Sequence, residues 1–192
     1  MNIHIQDLRP DDEATIEQVA RLLAAGFAAW PSAWHDLDSA REEVRESFEA
    51  GRISRVARAE DGTPLGWIGG IPAYHGHVYE LHPLVVSVAH QGQGIGRALV
   101  RDLEARARER GAETIMLGTD DESGQTTLSG VALLPNVWEH VARIKNLRRH
   151  PYEFYQKQGY ALVGVIPDAN GAGKPDILMA KSLIREEEST SQ

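Results

Sequence analysis

Apolar residues recur along this chain in two rhythms, and the changes of rhythm mark the elements. From residue 11 to about 29, Ile16, Val19, Ala20, Leu23 and Phe27 return at three- and four-residue spacing, which predicts a helix with one buried face. A second helix is expected from Ser39, where Ser39 and Glu42 have capping-box spacing and Val44 and Phe48 supply the apolar side. Trp30-Pro31-Ser32-Ala33-Trp34 breaks the pattern between them and reads as a loop. Two short strands, residues 53–59 and 65–71, flank Asp61-Gly62, a turn pair that tolerates positive φ. A third strand covers about 78–88, and a glycine-rich turn leads into a helix over 95–110. In that helix Ile95, Leu99 and Leu103 line one side, Arg97, Arg101, Glu104 and Arg108 are expected to face water, and Gly111 ends it.

The remainder alternates. A strand at 114–117 is followed by a polar loop over 120–136, a helix over 137–147 and another from Pro151, closed by Gly159. Strands at 160–166 and 177–180 flank a loop, and residues 185–192 are expected to be a disordered polar tail. This order predicts an α+β (mixed α/β) chain with a central mixed, mostly antiparallel sheet of about six or seven strands and helices on both faces. No repeat or break in composition divides it, so residues 1–184 are expected to form a single domain.

Composition narrows the chemistry. With 42% hydrophobic residues the chain can bury a core without staples, and it contains no cysteine, which removes disulfides, thiol nucleophiles and cysteine-ligated zinc. The net charge of −8 disfavours nucleic acid and would attract cations, although acidity also serves solubility alone. No signal peptide or apolar membrane span is evident, and a cytoplasmic protein is expected.

The glycine-rich turn is Gln91-Gly92-Gln93-Gly94-Ile95-Gly96-Arg97. Glycines let a backbone turn tightly and open its N–H groups to a phosphate, and the helix amino terminus behind adds a favourable dipole. A dinucleotide fingerprint would need glycine at 97, where Arg97 stands, and a P-loop would need Gly-Lys-Ser/Thr. What remains is Q/R-x-x-G-x-G/A, read from Gln91 through Gly94 to Gly96. It resembles the acetyl-coenzyme A pyrophosphate loop of the GNAT superfamily. Phe154-Tyr155 before Gly159-Tyr160 resembles the aromatic pair on that superfamily's last helix. Glu80-Leu81-His82-Pro83-Leu84-Val85-Val86, Leu117-Gly118-Thr119-Asp120-Asp121 and His150-Pro151-Tyr152-Glu153-Phe154-Tyr155 are similar to aminoglycoside 6'-N-acetyltransferases. So is the carboxyl-terminal stretch from Val163 to Lys181, and the likeness spans about residues 65–183.

The resemblance implies a GNAT fold and transfer of acetyl from acetyl-coenzyme A to a primary amine, with antibiotic resistance as its consequence. Glu80, His82 and Tyr155 would be catalytic: Glu80 as base or amine anchor, His82 shaping the acceptor site, Tyr155 serving the departing thiolate. Leu84, Val85, Val86 and the run from Gln91 through Gly92, Gln93, Gly94, Ile95 and Gly96 to Arg97 would hold the coenzyme, together with Tyr155. A homodimer is the assembly it implies. By strand alternation Glu80, His82 and Leu84 are expected to face the same way.

Other residues are candidates by chemistry. Trp30 and Trp34 could stack on sugar rings, and Asp36, Asp38, Asp120, Asp121, Glu122 and Asp168 could pair with ammonium groups, Asp120 and Asp121 being the two taken as substrate-binding. Loop acids are more often simply solvated, and loop tryptophans often plug a local core. His75, His77, Glu80 and His82 contain no metal-binding pattern, so no metal is expected. Alternatives are acetylation of another small amine, a polyamine or a protein amino group, and a non-catalytic coenzyme-binding sensor.

Overall fold

A computed structural model describes residues 2–28, 30, 33–34 and 36–184. The expected tail lies outside the described residues, as do Ala29 at the end of the first expected helix and Pro31 of the tryptophan loop. The chain forms two compact units, one running to Ile115 and regaining Leu183, the other comprising Met116–Ser182. Seven strands, mostly antiparallel, and five α-helices are described, a mixed α/β architecture.

The first unit contains β1 (His4–Asp7), α1 (Glu13–Gly26), α2 (Leu37–Glu46), β2 (Ile53–Arg58), β3 (Pro64–Ala73), β4 (Val78–Val86) and α3 (Ile95–Glu109). Its strands follow the order β1-β2-β3-β4, each pair antiparallel. Val56, Trp67 and Val85 lie in register across β2, β3 and β4 and share a core with Ile16, Val19, Ala20 and Leu23 of α1. On the opposite face Gly66 and Gly70 admit Leu99 and Leu103 of α3: a Cβ at Gly70 would lie 2.6 Å from the Leu103 side chain. Helices therefore cover both faces of this four-stranded sheet. The buried Trp67 indole donates to Ser54 Oγ (2.9 Å), which also receives the Ser47 hydroxyl (2.8 Å), so these three side chains are paired.

Several local expectations change. Helix α1 stops at Gly26, where a Cβ would sit 2.5 Å from Val85 Cγ2; only glycine lets the helix end lie so near β4. Helix α2 begins at Leu37 because Asp36, not Ser39, is its cap, accepting from the Ser39 N–H at 2.7 Å. Glu104, expected in water, is 6% exposed: it follows Leu103 and stands one turn beyond the buried Val100, inside the width of the apolar stripe. β1 follows only a short alternation, Ile3 and Ile5 among Asn2, His4 and Gln6, which the sequence reading passed over; it is held by register with β2 and by buried Arg55, which reaches Asp7 and Asp102.

The second unit holds most of β5 (Thr114–Asp120), then α4 (Val137–Ala142), α5 (Tyr152–Gln156), β6 (Ala161–Ile166) and β7 (Asp176–Ser182), with strand order β5-β7-β6. Leu128, Leu133, Val141 and Ile177 form its core. Helix α4 ends five residues earlier than its pattern suggests. Thr127 N–H donates to Lys145 O, the Thr127 hydroxyl accepts the Lys145 N–H, and Leu147 N–H donates to Gln125 O (2.7 Å), so 145–147 pair with the polar loop instead of extending the helix.

Candidate active site

The glycine loop joins a single 3-10 turn (Val88–His90) to α3. Gly92 and Gly94 have φ of 76° and 87°, a region in which side chains with a Cβ are strained, and nothing lies within 4 Å of a Cβ at Gly92. Gly94 is the helix cap and offers no side-chain acceptor, so the first-turn N–H groups of α3 are left pointing out of the helix end. The Arg97 guanidinium lies over the same spot, 3.6 Å from where a Gly94 Cβ would be. Gln91 and Gln93 bend back to Val86 O and Ala89 O and brace the turn. Backbone donors, a helix dipole and one arginine are thus gathered at the glycine loop, which suits a pyrophosphate.

β4 carries the next group of residues, and its register is broken. Ile68 pairs with Leu84 and Gly70 with Leu81, so Gly69 alone opposes both His82 and Pro83. A Cβ on Gly69 would stand 2.2 Å from His82 O, which is why glycine occupies it. Such a bulge slips the alternation by one. Glu80 and His82 share a face, but Val85 packs with Trp67 and α1, and Leu84 beside it turns to the opposite face. The expectation that Glu80, His82 and Leu84 all face one way therefore holds for the first two only.

His82 meets an aromatic cluster built by the loop after α1. Its ring centroid is 5.8 Å from that of Trp34, which meets Phe27 edge-on at 5.1 Å; Phe27 in turn lies 5.6 Å from Trp30. Both tryptophans are half-buried, so they form a wall with one accessible side. Glu43 of α2, which the sequence reading passed over, reaches both Trp34 and His82. Its signal was its place three residues after Ala40 and one before Val44, the two fully buried positions of α2.

The acids proposed for ammonium groups are mostly occupied. Asp121 is 0% exposed and its two oxygens accept the N–H groups of Gln125 (2.7 Å) and Thr126 (2.6 Å), so in this structure it organises the polar loop and is turned away from solvent. Asp120, half-buried, accepts from the Asn170 amide, and its carbonyl accepts from His150 Nε2 at 3.1 Å. His150 Nδ1 accepts from the Tyr152 N–H, so the ring is the neutral Nε2–H tautomer, and burial pushes its pKa down. Asp168 accepts from Gly173 N–H, Asp36 caps α2, and Asp38 pairs with Arg41.

Tyr155 of α5 is buried against Phe154 (5.0 Å between centroids) and Tyr160 (5.6 Å). Burial raises its phenol above the ordinary value of 10.0, so it keeps its proton at any physiological pH. Among the described residues no group of three or more histidine, aspartate or glutamate side chains gathers as a metal site.

A glycine loop at the start of a helix without a side-chain cap, reached from a bulged antiparallel strand, is an arrangement suited to the phosphates of a nucleotide-containing cofactor. The acetyltransferase (GNAT) family matches residues 16–129, more than half of the chain, and the chain belongs to that family. It is accordingly an acetyl-coenzyme A-dependent N-acetyltransferase with the GNAT fold. Among solved structures it is similar to an aminoglycoside 6'-N-acetyltransferase complexed with coenzyme A, at 43% identity and a TM-score of 0.87, covering 95% of this chain and 98% of that one. The aminoglycoside 6'-N-acetyltransferase from Enterococcus faecium matches at 43% identity and a TM-score of 0.85 over the same shares, and a type Ii aminoglycoside 6'-acetyltransferase at 35% and 0.72. No curated protein sequence matches the chain.

Proposed function

We propose that this enzyme acetylates the 6'-amino group of an aminoglycoside by direct transfer in a ternary complex. The observation that carries the reading is 43% identity to aminoglycoside 6'-N-acetyltransferases across nearly the whole length of both chains. The half-exposed aromatic wall beside His82 supports it, because sugar rings stack on indole faces while their ammonium groups seek carboxylates. Acetyl-coenzyme A supplies the acyl group and a thiolate leaving group. The N–H groups of Gln91–Arg97 and the Arg97 side chain hold the pyrophosphate, and the backbone of Leu84–Val86 orients the thioester and stabilises charge developing on its oxygen.

Glu80 takes the proton of the bound ammonium, which frees the nitrogen lone pair to attack the carbonyl carbon. The new C–N bond forms as the C–S bond breaks, Tyr155 gives its proton to the sulfur, and the second proton of the attacking nitrogen restores the phenol as the neutral amide forms. No acyl-enzyme is needed, in keeping with a chain that lacks cysteine. The same resemblance supports a cytoplasmic homodimer whose activity confers aminoglycoside resistance.

Tyr155→Phe should lower turnover about a hundredfold while leaving coenzyme affinity within twofold, as expected for loss of a general acid. Steady-state kinetics beside calorimetric binding of coenzyme A measures both quantities. An unchanged rate removes Tyr155 from the chemistry. Proton NMR of acetylated kanamycin then assigns the modified amine; acetylation away from the 6' position overturns the regiochemistry.

A further inference from the structure

Helix α2 is acidic along its length, yet one of its carboxylates is turned inward. The Glu46 side chain is 48% exposed and that of Asp38 92% exposed, whereas the Glu43 side chain is 15% exposed. A carboxylate taken that far from water needs polar partners. Glu43 has two, one for each oxygen: Oε2 accepts the Trp34 indole N–H at 3.3 Å, and Oε1 stands 3.8 Å from His82 Nε2. Trp34 and His82 also touch each other, ring to ring at 5.8 Å with planes tilted by 55°. The three side chains close a triangle drawn from a helix, a loop and a strand.

The triangle has a fixed base. Helix α2 is tied to α1 through Arg41–Glu17 at 3.0 Å and Arg45–Glu13 at 2.8 Å, and Ala40 and Val44 are fully buried beneath it. Trp34, by contrast, lies in a loop, and His82 is 44% exposed at the strand bulge. An indole N–H is a donor only, so an acceptor at a fixed place sets the direction of the whole ring.

We propose that Glu43 is a positioning residue of the acceptor site, holding Trp34 and His82 as one wall against which the amine substrate is oriented. The proposal rests on the acetyl-transfer reading for its kinetic consequence, though not for its geometry. Glu43 touches no reacting atom; it acts through the two rings. Its loss should therefore weaken acceptor binding and leave coenzyme binding alone, since the glycine loop and Arg97 do not involve it.

Two variants test this. Glu43→Gln keeps an acceptor for the indole but drops the charge facing His82; Glu43→Leu removes both. In Glu43→Leu the amine KM should rise about tenfold while the acetyl-coenzyme A KM stays within twofold, and Glu43→Gln should recover part of the loss. Without substrate, the indole N–H resonance of Trp34, assigned with Trp34→Phe, should move upfield in Glu43→Leu and stay near its wild-type position in Glu43→Gln. An unmoved resonance in Glu43→Leu, or an equal rise in both KM values, overturns the proposal. If the wild-type protein acetylates no amine, the acetyl-transfer reading fails separately, and the resonance alone decides whether Glu43 holds the wall.

Discussion

The loop at 91–96 and the loop that begins at Asp120 are both polar and glycine-containing, but their hydrogen bonds go to different places. In the first, Gly92 and Gly94 turn the backbone through positive φ and the helix that follows has no side-chain cap, so its donors remain available. In the second, Asp121 takes two backbone N–H groups, Asn146 bonds both N–H and C=O of His150, and His150 bonds Asp120 O and Tyr152 N–H. One loop keeps its bonding capacity for a ligand, and the other spends it on its own conformation. Polarity in a loop is therefore no measure of binding until each donor and acceptor has been followed to its partner.

The contrast predicts opposite outcomes for substitutions in the two loops. Asp121→Ala leaves two buried N–H groups without their charged acceptor and should cost about 3 kcal/mol, read by urea unfolding, with coenzyme affinity of the folded protein unchanged. An altered amine KM with unaltered stability would return Asp121 to the acceptor site. Gly94→Ala places a side chain at φ 87° and should weaken coenzyme A binding about tenfold, from roughly 1–2 kcal/mol of strain, as measured by calorimetry. Equal affinity would show that this turn does not cradle the coenzyme.

Two pH effects sharpen the picture at smaller scale. Burial holds His150 below its ordinary value of 6.5, so the unfolded chain takes up the proton first as pH falls. Stability from this group is full above its ordinary value and declines as pH falls below it, and His150→Asn should flatten the Tm profile between about pH 7 and 5. An unchanged profile would mean that the ring is not held neutral. Asp12 behaves as a carboxylate: the Thr15 hydroxyl and N–H, with Arg58, hold it below its usual range. Its contribution is present above that range and lost as pH falls through it. Asp12→Asn should change the acid limb below about pH 4 by only some 0.5 kcal/mol, since the cap is partly exposed.

Much of this was legible in the sequence because it depended on neighbours along the chain. The strands other than β1, and α3, followed from apolar spacing, and the coenzyme loop from three glycines at a helix start. What escaped depended on distant residues. The bulge at His82-Pro83 is a property of its partner strand, where Gly69 leaves room for it, and it turned Leu84 to the other face. α4 stopped early because residues 145–147 found partners at 125–127. Glu43 stayed hidden because α2 was read for its apolar residues alone, and Asp121 was taken as substrate-binding because nothing local shows which N–H groups it will cap. The acceptor side of the site is therefore where sequence reasoning lost most, being assembled from a loop, a helix and a strand far apart in the chain.

The most direct test is acetyl transfer by the purified protein, following free thiol release with kanamycin, neomycin, an analogue bearing hydroxyl at the 6' carbon, spermidine and a lysine peptide. The account predicts rapid transfer to the 6'-amino compounds and none to the hydroxyl analogue. Equal transfer to the hydroxyl analogue, or silence with kanamycin and neomycin while spermidine or peptide is acetylated, would contradict it.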